Sequence, residues 1–149
     1  MVCPTHPGDG SAVTLEEPGF DPRRAVEVLH LTVPPYVAHL EVVRALVRHV
    51  SAGAGLGEEE QADVCLAVDE LCQHVVAATD FAVLVTVAAE PAIVLARIVA
   101  RRRPGAVPAR LTGVAEAVLA RAVDFFALDP GADSLEGVVV KCRAGTHFP

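Results

Sequence analysis

Two side chains one helical turn apart, Glu70 and His74, carry the first chemistry legible in this chain. A carboxylate and an imidazole spaced in this way lie side by side on a helix surface, where they can move a proton or bind a cation. They belong to the stretch ADVCLAVDELCQHVVAA, residues 62–78. At about 100° per residue, Val64, Cys65, Ala67, Val68, Leu71, Cys72, Val75 and Val76 share one broad apolar face, and Asp69, Glu70, Gln73 and His74 gather opposite. The polar stripe also reads as plain solvated surface, the commonest fate of such a face. Cys72 falls on the apolar side and His74 on the polar side, so no shared tetrahedral metal site is expected on this helix.

The helix needs a domain to position it. The chain has 149 residues, 52% hydrophobic and 21% charged, enough apolar material for one core. A formal net charge of −7 argues against a general nucleic-acid binder, which needs surplus Lys and Arg to neutralise phosphates, and favours a basic partner surface. The basic run at Arg101, Arg102 and Arg103 then reads as a solvated loop or a contact for an acidic partner. Four cysteines, Cys3, Cys65, Cys72 and Cys142, are too few for a disulfide framework and suit a reducing cytoplasm. The N-terminus lacks the basic leader and continuous apolar segment of a secretory signal. The most apolar run, residues 81–100, is interrupted by Glu90, Pro91 and Arg97, so it reads as two strands and not as a membrane span. The expectation is a soluble, cytoplasmic protein without membrane contact.

Residues 1–22 are punctuated by Pro and Gly and are expected to form a flexible or loosely docked extension, with one domain over 23–149. The alternation AVEVLHLTV predicts a strand over 25–33, ended by Pro34 and Pro35. Val37, Leu40, Val43, Val47 and Val50 predict an amphipathic helix over 36–51, closed by Gly53, Gly55 and Gly57. Glu58, Glu59 and Glu60 open the next helix, where its dipole favours negative charge, and Thr79 and Asp80 mark its exit. Two strands at 81–89 and 92–100 form a hairpin around Glu90 and Pro91. A loop at 101–110, an Ala-rich helix at 111–123, and strands at 124–129 and 137–143 around a PGADSLEG turn complete the order, and the last six residues are expected to fray. Grouped helices and paired strands predict a two-layer α/β (α+β) sandwich, with about three helices on one face of a mixed, mainly antiparallel sheet.

The motif LAVDE at Leu66–Glu70, in this order of elements, resembles the bacterial anti-sigma factors that are also serine-protein kinases with the histidine-kinase-like ATPase (GHKL) fold. The resemblance spans roughly residues 25–143 and implies a sigma-factor partner, an anti-anti-sigma (STAS-type) antagonist, a homodimer and a role in stress response. It makes Glu70 the residue that activates the attacking hydroxyl. The Asn that holds the magnesium of ATP in the family falls on His74, a poor ligand for that hard, oxygen-seeking ion. The Asp-x-Gly-x-Gly box that reads adenine falls on RRRPG: Arg101 stands at the Asp, Arg103 at the first Gly, and only Gly105 is kept. An Arg accepts no hydrogen bond from an adenine amino group, and its side chain fills space that Gly leaves open. Of a glycine-rich lid only Gly113 remains near the last helix. The resemblance also places Arg44 on the surface that meets sigma. The expectation is therefore a degenerate, non-enzymatic regulator with no or weak ATP and magnesium binding. The alternatives are an active ATP-dependent serine-protein kinase and a small α/β binding domain unrelated to sigma factors.

Overall fold

Alternation decides the strands. Val83, Val85, Val87 and Ala89 are buried toward one side of their strand, and Val94, Ala96, Ile98 and Ala100 do the same on the next, so both present a continuous apolar surface for helices to cover. The computed structural model describes residues 20–106 and 110–146. In chain order its elements are β1 (Glu27–Val33), α1 (Leu40–Gly53), α2 (Glu58–Ala77), β2 (Val83–Glu90), β3 (Ile93–Arg101), α3 (Gly113–Ala122), β4 (Phe125–Pro130) and β5 (Ser134–Cys142). The five strands form one sheet in the order β1-β2-β3-β5-β4.

Every neighbouring pair is antiparallel, so the sheet lies at the wholly antiparallel end of the expectation. The reason is the insertion of β5 between β3 and β4: the two strands that α3 connects run the same way but never touch. The β2–β3 hairpin turns on Pro91 and Ala92, with Glu90 paired to Ile93. Pro91 has its φ fixed by its ring, and Ala92 takes a φ of 69°, the positive value that the second position of a type II turn requires.

Most boundaries shift by a residue or two, and two shift further. The helix expected from residue 36 begins with a single 3-10 turn, Val37–His39, and becomes α-helical at Leu40, because neither Tyr36 nor His39 gives a side-chain cap to the first turn. The strand expected at 137 begins at Ser134: Ser134 and Glu136, which look like turn residues, pair with Arg101 and Val99 in the ladder. The 1–22 extension lies mostly outside the described residues, and its last part, from Phe20, is seated on the sheet. The start of the tail is tied down as well, since the Ala144 N–H donates to Glu60.

The three helices cover one face. Their apolar stripes and the inward residues of all five strands make the main core, with Val47, Val64, Leu71, Val75, Ile98 and Leu119 fully buried in it. Helix α2 is central: it contacts α1, α3, β3 and β5. It comes down onto β5 at Gly137, where an added Cβ would lie 3.4 Å from Leu71 Cδ1 and 3.8 Å from Ile98 Cβ. A second, smaller apolar cluster lies on the other side of the sheet, where Phe20 meets Ile93, Leu95, Phe125 and Val140. Because Gly137 sets how close α2 lies, Gly137→Val is expected to destabilise the fold by about 1–3 kcal/mol through overpacking, and Gly137→Ala much less. Denaturant unfolding of the three proteins checks this.

Candidate functional site

The polar stripe of α2 divides into two parts. Asp69 turns toward α1, where its Oδ1 lies 2.8 Å from both Nε and Nη2 of Arg44 and its Oδ2 accepts from Gln73 at 2.9 Å. Arg44, expected at a partner surface, is thus anchored within the chain while its side chain stays 35% exposed. Such a half-screened pair is worth about 0.5–1 kcal/mol.

Glu70 and His74 sit on the opposite flank of the stripe, partly covered at 28% and 19% side-chain exposure. His74 Nδ1 is 2.8 Å from the Glu70 backbone oxygen and 3.8 Å from Glu70 Oε1. A carbonyl only accepts, so Nδ1 carries the proton, and in the neutral ring Nε2 is the nitrogen with a lone pair to offer. The longer separation is no hydrogen bond, and the carboxylate stays free of the imidazole. The arrangement offers a proton acceptor at Glu70 and a nitrogen at His74, a donor set that suits Mg²⁺ poorly. Among the described residues no three His, Cys, Asp or Glu side chains gather to hold a metal ion.

The RRRPG loop is pinned at both sides. The Arg103 N–H donates to Ala78 O at 2.8 Å, its Nη2 to Thr79 O at 3.4 Å, and its Nε to Asp80 Oδ2 at 2.9 Å. The Thr79 hydroxyl donates to Arg101 O and accepts the Phe81 N–H at 3.0 Å. On the other side, Arg102 donates its N–H to Asp133 O at 2.9 Å and its Nη2 to Ala132 O at 2.7 Å, both in the β4–β5 turn. A cation and one backbone N–H, both from Arg103, thereby meet the carbonyls at the end of α2, where the helix dipole is negative. Gly105 follows with a φ of +75° and open space around its Cβ position.

Glu70 and His74 are therefore adjacent, but Arg101 does not join them. It shares the strand parity of Ile93 and Leu95, whose side chains lie on the sheet face away from the helices, and its guanidinium stands 5.1 Å from the centroid of the Phe81 ring. Gly113 is the first residue of α3, after Thr112, whose hydroxyl accepts the Ala115 N–H at 3.1 Å. The residues that sequence reasoning missed are Thr79, Asp80 and the side chain of Arg103. Thr79 and Asp80 had been read only as a helix exit, although a Thr-Asp pair there is a signal for side-chain hydrogen bonding to nearby backbone.

A surface groove of about 1100 Å³ lies at the other end of α2, lined among others by Glu58, Glu59, Asp63, Lys141 and Arg143. Its main cation is engaged: Lys141 Nζ reaches Asp63 Oδ2 at 3.2 Å and Ala122 O at 2.7 Å. Glu60 closes the helix N-terminus by accepting the Gly57 N–H at 2.7 Å, and that of Ala144, which holds its carboxyl below the usual range. This groove is separate from Glu70 and His74.

No protein-family model matches this chain, and no curated protein matches it. Among solved structures it is similar to the RsbU and RsbW domains of Rv1364c from Mycobacterium tuberculosis, with a TM-score of 0.61 and 23% sequence identity. The shared fold is the histidine-kinase-like ATPase fold. The match covers 81% of this chain and 35% of that one, so this chain spans about a third of the neighbour's length. At this identity the likeness is one of fold, in agreement with the layered sheet and the three helices.

Beneath Asp69 and Arg44, burial pushes the Cys72 thiol up to about 12, with the Asp69 charge adding to the effect and Arg44 opposing it. An unfolded Cys ionises near 8.5, so the folded state holds its proton over a wider range. The stability this gives is complete below about pH 8.5 and is lost as pH rises toward 12, on the order of 5 kcal/mol in all. Unfolding measured from pH 8 to 11 is expected to show this alkaline loss in the wild type, and a shallower one in Cys72→Ala.

Proposed function

We propose that this chain is an anti-sigma-factor-like transcription regulator, cytoplasmic and homodimeric, which sequesters a sigma factor and is antagonised by an anti-anti-sigma protein of the STAS type. Its ATP and magnesium binding is weak or lost, and its setting is a stress-response circuit. The single observation that carries the reading is the pinning of the RRRPG loop. Arg103 occupies the C-terminal end of α2 with three hydrogen bonds, at the place where the resemblance puts a glycine that lets a nucleotide approach. His74 adds to it: one ring nitrogen is committed to the Glu70 carbonyl and the other is nitrogen where magnesium favours oxygen.

The protein-binding side of the fold keeps its framework. Arg44 presents a guanidinium fixed by Asp69 yet open to solvent, a pre-ordered cation for an acidic group on the sigma factor. The rival reading, a working serine-protein kinase, rests on Glu70, which is partly exposed and, among the described residues, has no side chain at hydrogen-bond distance.

Affinity capture with the full chain from cells of its own source, followed by mass spectrometry, is expected to recover a sigma factor and a STAS-type protein. Recovery of neither contradicts the proposal. With the sigma factor in hand, Arg44→Glu is expected to weaken binding about tenfold or more, equivalent to about 1.4 kcal/mol. Asp69→Asn, which loosens the same ion pair but leaves the cation, is expected to weaken it far less. Transfer of phosphate from ATP to the STAS protein, lost in Glu70→Ala, would establish the kinase instead.

A further inference from the structure

On the side of the sheet away from the helices, register lines up two rows of side chains. Ala88, Leu95, Val140 and Phe125 stand abreast across β2, β3, β5 and β4, and Glu90, Ile93 and Cys142 stand two residues closer to the Pro91 turn. Neighbours abreast on one face pack against one another. The apolar members make up the smaller cluster together with Phe20, which is 5% exposed, and this cluster is distinct from the main core.

The chain that carries Phe20 is lightly fastened. From Phe20 to Thr32 no other side chain is buried, and the 3-10 turn Pro22–Arg24 lies wholly outside both apolar clusters. Asp21 spends its carboxylate on that turn, accepting the Arg23 N–H at 3.0 Å. Among the described residues, the segment is tied to the sheet by the Asp21 N–H, which donates to Glu90 Oε2 at 3.0 Å, and the Val26 N–H, which donates to Ala89 O at 2.8 Å. One ring and these bonds stand against the backbone entropy of ordering all of residues 20–26. Glu90 itself is 2% exposed, and a carboxylate shut from water regains hydration when its cover lifts. Few buried contacts and few bonds are the marks of a segment that opens locally.

We propose that residues 20–26 form a latch that opens while the two-layer domain stays folded, lifting Phe20 from the outer face and baring Ile93, Leu95, Val140 and the Cys142 thiol. The main core lies on the far side of the sheet and keeps its packing when the latch opens. A ligand for the two rows competes with Phe20 for them.

Two buried thiols on opposite sides of the sheet make the test selective: Cys142 belongs to the cluster that Phe20 closes, and Cys72 to the main core. The full chain bearing Cys3→Ser is labelled with iodoacetamide under native conditions, and peptide mass spectrometry reads each site. Cys142 is expected to react about tenfold or more faster than Cys72, and with little dependence on guanidinium chloride below the unfolding transition, because a local opening exposes little surface. Phe20→Ala is expected to speed Cys142 about tenfold or more while Cys72 changes by less than about twofold. Glu90→Leu, which removes the acceptor of the Asp21 N–H, is expected to act in the same direction, and Glu90→Gln, which keeps a carbonyl oxygen for it, far less. One rate and one denaturant slope for both thiols would mean that the face opens only when the whole domain unfolds, and overturns the proposal. So does a Cys142 rate indifferent to Phe20→Ala, or an equal speeding of both thiols.

Discussion

A helix packed on three sides must still satisfy the carbonyls at its C-terminal end, and how α2 meets that demand governs the rest of the molecule. The Ala78 and Thr79 carbonyls accept from Arg103, and the Thr79 hydroxyl ties Arg101 O to the Phe81 N–H. Helix, following strand and the loop after β3 are thus joined at one point. The fold cannot open that loop without stripping partners from a buried helix end. On the proposed reading this corner stands where the resemblance puts the glycine box, so one set of hydrogen bonds serves stability and bears on that proposal together.

The two ends of α2 are treated in different ways. At its start, Glu60 accepts two backbone N–H groups and places a carboxylate where the helix dipole welcomes it. At its end, Arg103 supplies the cation. Between them the polar stripe is divided, Asp69 bonded to α1 through Arg44 and Glu70 paired with His74. The chemistry-bearing residues are therefore held by a rigid element whose ends are both fixed, which suits a binding surface that keeps its shape.

Much of this was legible from residue order. The apolar face of α2 is the buried face, save that Val76 is only partly covered, because a helical wheel gives angles correctly for a long regular helix. The β2–β3 hairpin was legible from Pro91 between two Val-rich runs. Other features were hidden for physical reasons. The wheel places Asp69 and Glu70 together but cannot say that α1 takes one and leaves the other. The extra residues of β5 were masked because Ser134 and Glu136 carry turn-like side chains while their backbones serve the ladder. Arg101 and Arg103 look alike in a basic run, yet strand parity sends the first to the outer face and the bend after β3 brings the second to α2.

The central proposal is that Arg103, bonded to the end of α2, leaves nucleotide no firm place at the corner made by α2 and the RRRPG loop. Calorimetric titration of the full chain with ATP and Mg²⁺ measures this directly. The account predicts no saturable heat, or only weak binding that is indifferent to Mg²⁺. Tight, Mg²⁺-dependent binding that is abolished by Glu70→Ala or His74→Ala would contradict it.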